Sequence, residues 1–190
     1  MSNIDYLVVD RATGTILRVG NVPPGRLEIQ THGEGEIAII APPGAMGQTE
    51  IEPGVFGLTV NENVMRAHFR AKIDAEAEAV RQRFITPGAG QAMEYQEAVN
   101  QARAYLADPT GSYPMVQADV DAGTIDPRIP GPVETLAEAA DLILFMYDRW
   151  LEVGSAIRQI RLTAKASVEA APNIAAMADA AQIDWEALLA

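Results

Sequence analysis

The residue types that most often carry catalysis are scarce in this sequence. Its 190 residues include two histidines and no cysteine. A cysteine nucleophile, a disulfide framework and a zinc ribbon all need thiols, so the sequence excludes them. His32 lies in a Gly-rich turn and His68 on the first predicted helix, and neither has a second histidine at metal-binding spacing. The serines lack a nucleophile-elbow motif, so we expect no catalytic residue, no bound cofactor and no enzyme activity.

Three closely spaced aspartates, Asp119, Asp121 and Asp126, are the best candidates for a cation site. An Asp-x-Asp start followed by glycine is how EF-hand loops begin. Here Gly123 comes one position early, and Pro130 occupies the position of the bidentate glutamate. We therefore predict solvated loop acids and no metal site. A polysaccharide hydrolase would need a carboxylate pair across a cleft, and loss of a lytic activity on mutation of these acids would indicate one.

The charge balance narrows the class of partner. The chain has 14 Lys and Arg residues against 26 Asp and Glu residues, a formal net charge of −12. A general nucleic-acid binder needs a cationic face that displaces counterions from phosphates, so we expect no nucleic-acid partner. The longest apolar run, residues 142–147, is far shorter than the ~18 residues that cross a bilayer. We expect no membrane insertion and, without a secretory signal, synthesis and retention in a cytoplasm.

The predicted secondary structure that positions these residues changes from strands to helices after residue 60. Apolar runs at 6–9 and 15–19 flank a glycine-containing turn and predict a β-hairpin. From residue 61 onward, apolar residues recur at helical spacing. We therefore predict an α+β fold, in which a small antiparallel β module (1–60) precedes a larger antiparallel helical hairpin or bundle (61–190). The predicted helices span about 62–85, 91–107, 133–171 and 174–189, and a proline-rich loop or strap spans 108–132.

The longest predicted helix carries a heptad-like seam. Its apolar and small residues recur at spacings of four and three, which is typical of coiled-coil packing. Arg161 takes one seam position and small residues take several, which favours close helix approach over an autonomous zipper. Aromatic residues dominate protein interfaces, although the same residues also fill cores. The interface candidates are Ile143, Tyr147, Trp150, Ile157 and Trp185.

Two stretches of the sequence resemble tail proteins of tailed bacteriophages and prophages. In residues 5–20, an aromatic-led apolar run precedes a Thr-Gly turn and an apolar-x-Arg-x-Gly run, and the strand-like segment 27–36 follows. The second stretch is Ile-Thr-Pro-Gly-Ala-Gly-Gln with a tyrosine four residues later, spanning 85–95. It is similar to the helix-corner-helix of a tail-fibre-associated domain that is common in alphaproteobacterial prophages.

The resemblance implies a structural component of the virion, located at the tail tip or baseplate or in the tail fibre. Such a protein is assembled in the bacterial host cytoplasm and attaches to other tail, baseplate or fibre proteins. Fibre proteins are commonly trimeric, which favours a homotrimer along the seam, while a helical hairpin would bury the same residues within one chain. The alternative is a tail-fibre assembly chaperone that is absent from the mature particle.

Overall fold

The fold is α+β, as predicted, with a small antiparallel β module followed by a larger helical region. The computed structural model describes residues 2–31, 33–85 and 88–188. The strands are β1 (Ile4–Asp10), β2 (Ile16–Val22), β3 (Glu36–Ile40), β4 (Met46–Glu52) and β5 (Val55–Val60). The helices are α1 (Glu62–Arg81), α2 (Ala89–Ala107), α3 (Pro114–Asp121), α4 (Leu136–Ala170) and α5 (Ile174–Ala180).

Strand β1 is the centre of a three-stranded antiparallel sheet with the order β2-β1-β3. The hairpin predicted near the N-terminus is present as β1 and β2. The Asp10 carboxylate holds its turn by accepting the N–H of Thr13 at 2.8 Å. Gly14 adopts a φ of +74° there, a backbone conformation that favours glycine. Because Leu7 and Val8 point to opposite faces of β1 and both are fully buried, the sheet is covered on both sides at its centre.

The chain divides into two compact units, which differ from the predicted modules 1–60 and 61–190. Unit 1 comprises Met1–Glu78 with Arg158–Ala190, and unit 2 comprises Ala79–Ile157. In unit 1 the three-stranded sheet shares one apolar core with α1, the end of α4, and α5, so this core is built by strands and helices together. The larger core residues of unit 1 include Leu7, Val9, Ile37, Ile39, Met65, Phe69, Ile73, Val168 and Met177.

Polar contacts join α1 to the C-terminal part of α4 within unit 1, and the two segments run antiparallel. Arg161, the charged residue on the predicted seam, donates to the Asp74 carboxylate at 2.8 Å, and Lys165 donates to it at 2.6 Å. Lys165 and then Arg161 hold the pKa of Asp74 below its ordinary value. Arg66 donates to the carbonyl oxygens of Val168 and Glu169 at 2.6 and 2.8 Å, which supplies side-chain donors to the last turn of α4.

The segment 108–132, predicted as a loop, contains the helix α3, so that prediction is wrong for residues 114–121. Its prolines indicated a break, but Pro114 occupies the first turn of α3, where a missing N–H costs no helical hydrogen bond. The side-chain oxygen of Gln101 accepts the N–H of Met115 at 2.9 Å and satisfies a donor in the same turn.

Three predicted helix ends differ from the structure by three residues or more. Helix α1 ends at Arg81, before residue 85. Helix α4 begins at Leu136, three residues late, because Thr135 and Glu138 form a capping box in which each side chain accepts the other's N–H. Helix α5 ends at Ala180, where Lys72 donates to the carbonyl oxygen of the next residue. Residues 86, 87 and 189, which belong to the predicted corner and last helix, lie outside the described residues.

Among its described residues, unit 2 contains a small cluster of buried apolar side chains, most of them alanine or valine. Its α2 and α3 contact each other, and Tyr105 and Tyr113 meet edge to face at 5.6 Å between ring centroids. The cluster also includes Leu142, near the start of α4. The buried set is Ala102, Val116, Val133, Ala139, Ala140 and Leu142.

Candidate protein-interaction surfaces

A two-stranded ribbon, formed by β4 and β5 in unit 1, carries four exposed apolar side chains: Ile51, Val55, Phe56 and Leu58. Phe56 is 60% exposed and Ile51 is 66% exposed. Exposed apolar residues normally occur singly on a folded protein, whereas a contiguous group of them marks an interaction site. The ribbon is therefore the strongest candidate surface in unit 1.

A Pro-Gly turn and an anchored base position the ribbon. Pro53 followed by Gly54, whose φ is +81°, is the pattern of a type II turn. The Gly54 N–H donates to the Glu50 carboxylate at 2.7 Å. At the other end, Met46 and Val60 pack against the core of unit 1. The ribbon thus has a fixed base, and its apolar side chains gather toward the turn.

The strand register separates two faces of the ribbon. Phe56 and Leu58 lie on one face, where Phe56 is directly opposite Glu50. Gly57, between them, leaves room for Ile51 on the other face, since a Cβ atom at Gly57 would lie 3.2 Å from the Ile51 side chain. Apolar side chains are therefore available on both faces near the turn.

The ribbon combines this apolar surface with negative charge. Glu50 and Glu52 are its charged residues, and residues 46–60 contain no lysine, arginine or histidine. Within the described part of the chain, neither β4 nor β5 pairs with a third strand. The ribbon therefore offers apolar side chains, two carboxylates and unpaired strand edges.

Three of the predicted interface residues lie half-buried on α4 in unit 2. Ile143 packs against the unit 2 core. The guanidinium of Arg103 lies over the Tyr147 ring, 5.0 Å from the ring centroid. The Trp150 indole lies against the backbone of its own helix at Gly154. These side chains already contact their own unit, and their exposed parts leave a second, smaller candidate surface.

The other two predicted interface residues are buried, which corrects the prediction that they are available to a partner. Ile157 is fully buried, and Trp185 is 8% exposed. The Trp185 indole N–H donates to the Glu76 carboxylate at 3.1 Å, which satisfies the ring's one donor inside unit 1. Both residues therefore contribute to this chain's own interior.

The three candidate ion-binding aspartates are engaged by separate donors. Asp119 accepts the hydroxyl of Thr124 at 2.9 Å, and Asp121 accepts the side-chain amide of Gln117 at 2.8 Å. The Asp126 carboxylate accepts a hydrogen bond from the Arg128 guanidinium at 2.7 Å. Among the described residues, no group of three His, Cys, Asp or Glu side chains is arranged to hold a metal ion. The aspartates therefore stabilise local structure and do not converge on one point.

Asp126 and Arg128 form the main polar contact of unit 2. Asp126 is 3% exposed, and Arg128 binds its carboxylate through two nitrogens at 2.9 and 2.7 Å. This pairing holds the pKa of Asp126 below its ordinary value. Arg128 also pairs with Asp141 at 2.8 Å and stacks over Phe145, so it ties the segment before α4 to the helix itself.

The described histidine, His68, lies beside Phe69 and Lys72. Burial, together with the nearby Lys72, lowers its pKa, and its ring meets Phe69 edge to face at 5.5 Å. These contacts fit a packing role on α1. His32 lies outside the described residues.

Sequence reasoning missed the ribbon as a surface. Its signal was present in Val55–Val60, an apolar run without a charged residue, beside the Glu-Ile-Glu of β4. A strand of this kind is normally read as core, and only its exposure reveals a surface.

Compared with known proteins, the chain matches no family model, no curated protein and no solved structure. Across the described residues, none of the helices has the length and apolar character required to span a bilayer.

Proposed function

We propose that this chain is a structural component of a tailed-phage virion, located at the tail tip or baseplate or in the tail fibre. It acts by attaching to other tail, baseplate or fibre proteins and carries out no catalysis. The observation that carries the attachment role is the β4–β5 ribbon, whose exposed apolar side chains need a partner surface to cover them. The resemblance of residues 5–20 and 85–95 to phage tail proteins supports the assignment to a phage.

Mass spectrometry of purified particles tests the location. We expect the chain in intact virions, at a ratio to the major tail protein that stays constant through successive gradient purifications. An abundant host cytoplasmic protein serves as the contamination control, because its ratio falls with each purification step. Presence in infected-cell lysate with complete loss from particles contradicts the virion role and supports the alternative, an assembly chaperone in the host cytoplasm.

Particles purified from a phage that encodes the variant Phe56→Ser test the attachment surface. Phe56 lies on the ribbon, so we expect this chain to be lost from particles while it still accumulates in the cell. Met93→Ser is the matched control, because Met93 is a 75% exposed apolar residue on α2 and lies outside the ribbon. Equal incorporation of both variants would remove the ribbon from the attachment role.

We also propose that this chain forms a homo-oligomer. A trimer is favoured, because phage fibres are usually trimeric. The half-buried residues Tyr147 and Trp150, with the exposed Met146 and Leu151 on the same helix, are the candidate contacts. Sedimentation equilibrium distinguishes a chain of 20.4 kDa from three times that mass. We expect the trimeric mass for the wild type and a lower mass for Leu151→Ser; a monomeric wild type contradicts the proposal.

A further inference from the structure

The two strands of the ribbon are unequal edges. Strand β4 carries Glu50 and Glu52, and its register shifts between them. Charges and bulges of this kind protect an exposed strand from pairing with another chain. Strand β5 contains neither a charged residue nor a proline. Of the two edges, β5 is therefore the one that is open to a further strand.

A strand added beside β5 would meet Phe56 and Leu58. Neighbouring strands lie ~4.8 Å apart, and residues directly opposite each other bring their side chains into contact. Because these two residues share a face, the added strand needs apolar side chains at alternate positions. The backbone of β5 would supply the hydrogen bonds, and this alternation would supply the selectivity.

The charge of the ribbon selects the partner. Glu50 lies opposite Phe56 and Glu52 lies opposite Val55, so both carboxylates are near the turn. A second copy of this chain would bring further glutamates to the same place, in a protein with a net charge of −12. A partner with lysine or arginine is attracted by the same carboxylates, which favours a different protein over self-association.

We propose that the edge of β5 binds an extended segment of another protein, in which apolar residues alternate with lysine or arginine. This inference rests on the proposed attachment role and identifies the chemistry of the partner. It places the contact on main-chain pairing along β5, on Phe56 and Leu58 on one face, and on the carboxylate of Glu52, which lies opposite Val55 on the other face.

The test uses the purified full chain and three sets of immobilised ten-residue peptides. Each peptide has valine or phenylalanine at alternate positions, separated by lysine in one set, serine in the second and glutamate in the third. We expect the tightest binding to the lysine set and no measurable binding to the glutamate set. Phe56→Ser should weaken binding to the lysine set about tenfold or more, whereas Met93→Ser should leave it unchanged.

Two further arms examine charge and strand addition separately. The variant Glu52→Lys should reverse the preference, so that the glutamate set binds best. Lysine-set peptides with N-methyl groups at alternate backbone nitrogens should bind more weakly when the methyl groups face β5, because the methylated nitrogen cannot donate. Their partners methylated at the other nitrogens should bind as the parent peptides do.

Equal binding of the lysine and glutamate sets overturns the proposal, as does equal binding of both N-methylated series. Self-association of the wild type that Phe56→Ser abolishes would make the occupant a second copy and would also overturn it. The assay does not depend on virion location. A negative result from a chain that is present in particles rejects only this inference, and a positive result from a chain that is absent from particles rejects only the virion role.

Discussion

The two compact units are stabilised in different ways. Unit 1 places large apolar side chains from a sheet and three helices into one core, including Leu7, Phe69 and Ile73. The core of unit 2 is smaller and consists mostly of alanine and valine, and Arg128 adds polar contacts to it. Apolar burial contributes roughly 25 cal/mol per Å², so the larger side chains give unit 1 the larger apolar contribution.

The largest effect that separates the two units is expected from Ile73→Ala. Ile73 is fully buried in the unit 1 core, and truncation to alanine leaves a cavity in that core. We expect the free energy of unfolding of unit 1 to fall by about 3–4 kcal/mol, measured by guanidinium denaturation. The matched control is Ile51→Ala on the exposed ribbon, with an expected change below about 0.5 kcal/mol. Equal losses in both variants would contradict this account of unit 1.

A smaller loss is expected from Leu142→Ala in unit 2, about 2–3 kcal/mol. The small side chains around Leu142 can close in on the vacated space more readily than the larger ones of unit 1. Hydrogen exchange measures the effect locally: amides of α2 and α3 should exchange faster, while those of β1 keep their protection. Leu106→Ala, at an exposed position of α2, is the control. Equal acceleration in β1 would show that the units do not unfold independently.

The smallest effect is expected from Asp74→Asn in unit 1. The variant removes the negative charge that pairs with Arg161 and Lys165, and the loss should be about 1 kcal/mol because the Asp74 side chain is 42% exposed and screened by water. Since folding lowers the pKa of Asp74 from 3.8, its pairing stabilises the chain fully above that value. The contribution disappears as the pH falls through the lower pKa of the folded state.

Denaturation at neutral and acidic pH measures this dependence. The wild type should lose its advantage over Asp74→Asn as the solution is acidified. Asp121→Asn serves as the comparison, because Asp121 pairs with a neutral glutamine. A difference between wild type and Asp74→Asn that stays constant down to acidic pH would contradict the role of the ion pairs.

The sequence predicted the elements with strong periodicity and missed those whose identity depends on distant residues. The sequence predicts an apolar stripe on the first helix, made of Met65, Phe69, Ile73, Ala77, Val80 and Phe84. It is buried from Met65 to Val80, whereas Phe84 lies beyond the end of α1 and is 43% exposed. The sequence also predicts an apolar face on the second helix, made of Ala92, Tyr95, Val99, Ala102 and Leu106. Only Val99 and Ala102 of this set are buried, whereas Ala92, Tyr95 and Leu106 are exposed.

The candidate surfaces were harder to predict than the fold. Trp185 is an attractive interface residue by type, yet its partner, Glu76, is 109 positions away and no local pattern reveals the pair. Strand β4 lacks the alternation of a half-buried strand, because almost all of it is exposed, so its pairing with β5 follows from the turn between them. Residue type and spacing identified possible contacts, and burial decided which were available.

The composition of unit 1 has a consequence for the order of folding during synthesis. Its core needs Val168 from α4 and Met177 from α5 as well as Leu7 from β1, and these are separated by more than 150 residues of chain. Unit 2 is one continuous stretch and can complete its contacts first. While the ribosome is still translating α4, the sheet face around Leu7 lacks its cover and is open to aggregation or to a chaperone. The N-terminal strands of unit 1 are therefore synthesised first, but their core is completed last.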